Sequence, residues 1–464
     1  MAKKKVLVIG LDCATPQLVF DKYKDKLPNI NSLINGGIYG EMMSSIPPIT
    51  CPAWMCMMTS KNPGKLGFYG FRNRIDYSYD KMVTANSESV KEDTVWQTLS
   101  KLDKYSIVVG VPQTYPIKRV NGVMISCFLT PNTDVQFTHP ITLKKEIEAI
   151  VGEYIVDCKD FRTNDKDKLL EGIYEMTEKR FKVMRYLLRT RPWDFAMMVE
   201  MGIDRIHHAF WKYCDPEHPK YEAGNKYENA ILDYYIYVDN WIGELLKYID
   251  DDTAVMIVSD HGAQKMVGGI CINEWLIKEG YLKLKKYPET PVSLEKCEVD
   301  WANTKAWSSG GYYARLFINV KGREPNGVIE QSDYERFRNE LVDKLEALPD
   351  HEGNHIGTRC IKPEDAYPEI NSVPPDLIIY PGNLNWRAVG TVGLNEIYTF
   401  ENDTGPDDAN HAEKGIFILN DKSKKYCDKK GEKVDGITLY NVAPTILKML
   451  DVEIPKDYEG KPLI

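Results

Sequence analysis

Four short runs of nearly unbroken apolar residues punctuate the chain: VLVIGLD at 6–12, YSIVVGVP at 105–112, DFAMMVEM at 194–201 and AVMIVSD at 254–260. Apolar side chains at successive rather than alternate positions predict strands covered on both faces, as in a parallel sheet. Between them lie segments of helical period at 93–103, about 165–190 and about 225–249. In the last of these Ile231, Leu232, Tyr235, Val238, Ile242 and Leu245 recur on one face. Strand and helix in repeated alternation predict an α/β fold, a largely parallel central sheet between helices. The pattern changes at 270–375, where WSSGGYYARLFINVKGREPNG precedes the helical DYERFRNELVDKLEAL. That region is expected to form a smaller α/β insertion, with 1–269 and 376–464 making the core. The stretch DKSKKYCDKKGEKVDG at 421–436 reads as a solvated loop.

Composition narrows the function classes. The chain has 464 residues, 43% of them hydrophobic, and a formal net charge of −9. An acidic surface argues against duplex nucleic acid or an anionic membrane as partner. An anionic substrate would then need local positive charge, from basic side chains or metal ions. Ten cysteines occur without a C-x-x-C pair, which fits reduced thiols in the cytoplasm better than a disulfide framework or a thiolate zinc site. The apolar run 6–11 ends at Asp12, too short for a signal peptide or a membrane span.

The strand ends carry the candidate chemistry. Asp12 directly follows the first run, and Asp260 and His261 follow the fourth in VSDHGAQ. In open α/β sheets that edge is where ligands bind. Asp204 and His208 in VEMGIDRIHHAFW stand four apart, on one face of a helical turn; His207 points elsewhere and is a lesser candidate. His411, in DDANHAEKGIFIL, completes a six-residue set. Each alone has a plain structural reading, as a cap, a turn aspartate or a surface histidine. Together they suffice for two divalent ions, Asp12, Asp260 and His261 for one, Asp204, His208 and His411 for the other. Oxygen and nitrogen donors suit zinc, with manganese as the alternative. Two ions about 4 Å apart can clamp both oxygens of an in-line phosphoryl displacement.

Thr50 sits in SSIPPITCPAW, held by Pro47 and Pro48 before it and Pro52 after it. Proline restrains its own backbone and that of the residue before it, so a stiff turn should end here and a helix begin. Its hydroxyl is either a helix cap or a nucleophile, and the second role needs a base or a metal to activate it, for which the metal of Asp12 is the candidate.

In order along the chain, GLD at 10–12, IPPITCPAW with TSKNPGKLG at 46–67, DRIHH at 204–208, SDHG at 259–262 and HAEKGIFI at 411–418 resemble the alkaline phosphatase superfamily. Within it they are most like the type I phosphodiesterases, or nucleotide pyrophosphatases/phosphodiesterases. The ending LYNVAPTILKMLDVEIPKDYEGKPL is similar as well. The resemblance implies an alkaline-phosphatase-like fold, Thr50 as nucleophile and metal ligand, and the two ligand sets above. It further implies cleavage of a phosphodiester or pyrophosphate bond through a phosphothreonine, with a phosphorylated small molecule such as a nucleotide as substrate. A phosphomonoesterase or phosphotransferase using the same site is the alternative, and a metal-stabilised binding protein without turnover is another.

Departures from the family pattern mark the substrate side. The family's His-Gly after the nucleophile helix is Leu66–Gly67 here. Where the family carries an asparagine contacting the phosphoryl group, spacing puts Phe71, followed by Arg72, Asn73 and Arg74. Asn73 is the expected stand-in. Trp54, Tyr69 and Phe71 read either as core or as a surface on which a base stacks. Cys51 precedes Pro52 directly, which breaks the C-x-P-x-R spacing a formylglycine sulfatase needs.

Overall fold

The apolar runs pair with one another at the centre of the molecule. In a computed structural model, which describes residues 4–464, they form the strands Lys5–Leu11, Ser106–Val109, Phe195–Glu200 and Thr253–Val258. Lys5–Leu11 is flanked in parallel by Phe195–Glu200 and Thr253–Val258. Ser106–Val109 and then Gly122–Ile125 extend the parallel part. On the other side Lys414–Asp421 runs antiparallel, between Thr253–Val258 and Ile38–Met43. The sheet is therefore largely parallel with antiparallel borders. Every side chain of Phe195–Glu200 and Thr253–Val258 is buried, so both faces are covered.

Two groups of helices supply the cover. Lys166–Thr190, Gly202–Cys214, Ala230–Leu246 and Pro28–Asn35 pack against one another, while Thr50–Thr59 packs on Val442–Met449. One continuous apolar core joins them to the sheet. Among the described residues no helix is long and apolar enough to cross a membrane.

A second apolar core runs from Ile270 to Ala388. Its antiparallel sheet has the order Ala306–Ser309, Ala314–Ile318, Leu377–Tyr380, Arg359–Ile361, packed with Phe337, Leu341 and Leu345 of the helix Tyr334–Glu346. Leu377–Tyr380 is central to this unit, so the small sheet reaches past the boundary expected at 375. Its run LIIY looks like any buried strand, and only pairing assigns it to one sheet or the other. A third, smaller cluster, containing Ile49, Tyr69, Tyr313 and Tyr380, ties the small lobe to the residue before Thr50.

Candidate active site

Register brings the acidic residues to one edge. Gly10 is paired with Val258 and Leu11 with Glu200, so Asp12 and Asp260 leave their strands side by side. The Asp12 N–H donates to Glu200 O at 3.0 Å, continuing the ladder one step. After Phe195–Glu200 the chain turns at Met201 into the helix Gly202–Cys214, whose first turns carry Asp204 and His208. His411 arrives on Ala409–Ala412, antiparallel to Gly262–Lys265, and its ring stacks on His261 with centroids 3.8 Å apart.

Thr50 is the first residue of the helix Thr50–Thr59, with Ile49 in extended conformation as its N-cap and no side-chain cap. The hydroxyl is thus not spent as a cap. Its Oγ1 lies 3.2 Å from His261 Nε2. Helix geometry leaves the N–H groups of the first turn without intrahelical acceptors, and Pro52 has none to offer.

Each of three carboxylates is held by one oxygen and open at the other. Asp12 Oδ2 accepts from Trp54 Nε1 at 2.7 Å, Asp204 Oδ2 from Arg205 Nη1, and Asp260 Oδ1 from the Cys13 N–H at 3.3 Å. Asp12 Oδ1, Asp204 Oδ1 and Asp260 Oδ2 are buried without a hydrogen-bond partner. The histidines show the same division. Nδ1 of His208, His261 and His411 faces Asp407 Oδ1 (2.8 Å), Gly262 O (3.1 Å) and Pro48 O (2.8 Å). Their Nε2 atoms turn inward, toward the open carboxylate oxygens.

His261 Nε2 is 3.3 Å from Asp260 Oδ2 and 3.7 Å from Asp12 Oδ1. His208 Nε2 is 3.2 Å from Asp204 Oδ1 and 3.3 Å from His411 Nε2. Buried polar atoms without partners are costly, and cations held between these oxygens and nitrogens would satisfy them. Asp12, Asp260 and His261 converge on one point, and Asp204, His208 and His411 also lie within 4 Å of one another. His261, close to Asp204 and His411 as well, borders both.

The electrostatics follow from crowding. Burial, followed by the charge of Asp204, pushes the Asp12 carboxyl up; burial and Asp12 do the same to Asp260. Burial also acts on Asp204, but His208 and Arg205 outweigh it and hold this carboxyl down. His208 goes up to about 10, because Asp407 and Asp204 overcome the burial that opposes its charge. Burial lowers His261 to about 4 and depresses His411. His207 is lowered by burial to about 3 and turns away to Tyr235 Oη, 3.2 Å distant.

A cavity of about 400 Å³ opens onto Thr50, Asp204, His208 and His411. Phe71 lines it, edge-on to Phe128 at 6.0 Å, while Trp54 and Tyr69 are fully buried. Trp54 is core that also orients Asp12. Asn73 does not reach the cavity: its Oδ1 accepts from the Tyr69 N–H at 2.7 Å and its Nδ2 donates to Gly70 O at 2.8 Å. The amide locks its own turn and leaves Phe71 and Arg72 on the wall, so the expected phosphoryl contact is corrected to a structural role. Gly67 is a left-handed helix terminus, φ +75°, which explains the glycine of Leu66–Gly67. Sequence reasoning passed over Asp407, which accepts from Tyr312 Oη at 3.1 Å as well as pairing with His208 and Arg162. Its signal was its place in DDANHAEKG, four residues before His411.

Comparison with known proteins gives the family and the fold. The family model for type I phosphodiesterase / nucleotide pyrophosphatase matches residues 6–407. No curated protein matches the sequence. Among solved structures, the phosphonoacetate hydrolase of Sinorhizobium meliloti 1021 in complex with phosphonoformate is similar at TM-score 0.60 and 13% identity, over 97% of this chain and 96% of that one. Inactive murine ectonucleotide pyrophosphatase/phosphodiesterase 5 in complex with AMP is similar at TM-score 0.56 and 12% identity, covering 98% and 96%. Its human counterpart gives TM-score 0.54 at 12% identity, covering 99% and 97%. At such identities the likeness is one of fold, while the family model spans most of the sequence. The chain belongs to the type I phosphodiesterase / nucleotide pyrophosphatase family.

Proposed function

We propose that the protein is a two-metal phosphodiesterase or nucleotide pyrophosphatase that works through a phosphothreonine at Thr50. One observation carries this reading: a buried hydroxyl, free of capping duty, stands 3.2 Å from His261 Nε2 at the meeting point of two open oxygen–nitrogen sets. Asp12, Asp260 and His261 would hold one ion with Thr50, and Asp204, His208 and His411 the other; zinc suits these donors, and manganese is the alternative. Bound there, such ions supply the charge that makes a hydroxyl nucleophilic and offsets charge on phosphoryl oxygens.

Thr50 Oγ1 attacks phosphorus as the ester oxygen departs in line. The Thr50 proton passes to solvent and the departing oxygen takes one up. Water then attacks from the vacated side and frees Thr50. The N–H groups at the start of Thr50–Thr59 orient the phosphoryl oxygens. The cavity beside Thr50 takes the rest of the substrate, and its aromatic and basic wall suits a nucleotide. The small lobe contributes part of that wall and so shapes specificity. Residence in the cytoplasm belongs to the same proposal, supported by ten free cysteines.

Purified protein supplied with zinc or manganese should cleave bis(4-nitrophenyl) phosphate faster than 4-nitrophenyl phosphate. The opposite ratio selects the monoesterase, and stoichiometric metal with turnover of neither selects the binding protein. Thr50→Ala should lose about 10³-fold or more in kcat while still binding metal. Unchanged activity in that variant would sink the covalent route.

A further inference from the structure

The cavity wall holds one cation whose counter-charge is missing. Five arginines line the cavity: Arg72, Arg162, Arg205, Arg315 and Arg387. Four have carboxylate partners, Arg72 with Glu295, Arg162 with Asp407, Arg205 with Asp157 and Asp204, and Arg387 with Asp403. Arg315 has none among the described residues. It is only 9% exposed, and among the described residues its guanidinium makes a single hydrogen bond, Nη1 to the Arg72 carbonyl. A buried cation without a partner is costly, and the fork of a guanidinium matches an oxyanion in two-pronged fashion.

The surroundings hold that fork in place. Arg315 lies on the strand Ala314–Ile318 and is paired with Ser309 across the hairpin, whose turn carries Gly310 and Gly311. A Cβ on Gly310 would stand 2.3 Å from Gly390 N, so glycine lets the hairpin close onto the neighbouring strand beside the cavity. Tyr313, two residues earlier, packs in the same cluster as Ile49, which precedes Thr50. Arg315 and the proposed nucleophile thus each adjoin a residue of one packed cluster, and both line the same cavity. The Arg72 carbonyl fixes Nη1, leaving the rest of the guanidinium for a ligand.

We infer that Arg315 binds a second anionic group of the substrate, a carboxylate or phosphate carried on the part of the molecule beyond the reacting phosphorus. This rests on the phosphoester-hydrolase reading above and narrows it to diesters with a distal oxyanion. Phe71 and Phe128 then flank the link between the two anionic ends.

Three diesters that all release 4-nitrophenol test this: phenyl, 4-carboxyphenyl and 4-phosphonophenyl 4-nitrophenyl phosphate. The metal-loaded enzyme should favour a charged one over the phenyl ester by about tenfold or more in kcat/KM, the worth of one charge-assisted contact. The larger ratio identifies carboxylate or phosphate. Arg315→Met should bring both ratios to near one, while Arg315→Lys keeps a preference because the charge stays. Calorimetric titration of the same proteins with phenylphosphonate and 4-carboxyphenylphosphonate separates the two readings. If no diester is cleaved yet the carboxylated ligand binds more tightly and Arg315→Met erases that margin, the hydrolase reading falls and the anion site stands. Equal affinity for both ligands in the native protein, or a preference unaltered in Arg315→Met, overturns the inference.

Discussion

At the scale of single residues, the site depends on how the second atom of each ligand is restrained. Trp54, Arg205 and the Cys13 N–H hold one oxygen of Asp12, Asp204 and Asp260, so the other can point only inward. Asp407 does the same for His208, and is itself held by Arg162 and Tyr312. A carboxylate on the far ring nitrogen fixes tautomer and ring orientation and strengthens the ligand. Asp407→Asn keeps the shape but removes the charge. It should weaken metal binding or lower activity about 10- to 100-fold, read by titrating the variant against a chromogenic chelator and by kcat/KM at saturating metal. Native affinity and native activity together would show that Asp407 serves only the pairing with Arg162.

At the scale of elements, the ladder between Gly262–Lys265 and Ala409–Ala412 places His261 beside His411. Gly262 is there for space: a Cβ would lie 2.1 Å from the Lys414 carbonyl, and its φ is not among the positive ones. Gly262→Ala must displace that strand, at a cost of about 1–3 kcal/mol for overpacking, and should weaken metal binding beyond its effect on Tm. A variant that melts lower but binds metal as the native chain does would separate the ladder from the site. Gly10 works similarly, since a Cβ would come within 2.5 Å of the Trp54 ring. The glycine of GLD and the tryptophan of CPAW are thus one packing arrangement that orients Asp12. These reasons explain what sequence reading reached. Strands buried on both faces have a simple pattern, and residues just after them fall at one edge whatever the loops do. Asp12, Asp260 and His261 could be placed at that edge for this reason, and Asp204 and His208 by their spacing on the helix that follows such a strand, whereas His411 was added only as a further imidazole for the set. Asn73 was misread because spacing carries no information on whether an amide folds back onto its own turn. Arg315 was illegible because an arginine's missing partner is visible only after every other pairing is known, and Asp407 was passed over because its contact with His208 spans 199 residues of sequence.

At the scale of the whole molecule, the site sets stability against function, and pH exposes the balance. His208 rises to about 10 in the folded chain, above its ordinary 6.5, and Asp12 and Asp260 are raised too. A group that holds its proton more tightly when folded stabilises the fold below its unfolded pKa and loses that contribution as pH rises toward the folded value. His261, lowered to about 4, and His411 act oppositely, but their contribution is complete once pH passes 6.5. Above 6.5 these groups can therefore only destabilise the metal-free protein as pH rises. The protons involved sit on the atoms proposed to bind metal, so metal binding should release them and grow stronger over the same range. A metal at one hundred times its Kd adds about 2.7 kcal/mol to the folded state. Melting curves from pH 6.5 to 9 should fall for chelator-treated protein and stay nearly level with zinc or manganese, the gap widening with pH. Parallel curves would mean that these buried acids and imidazoles are not the metal ligands.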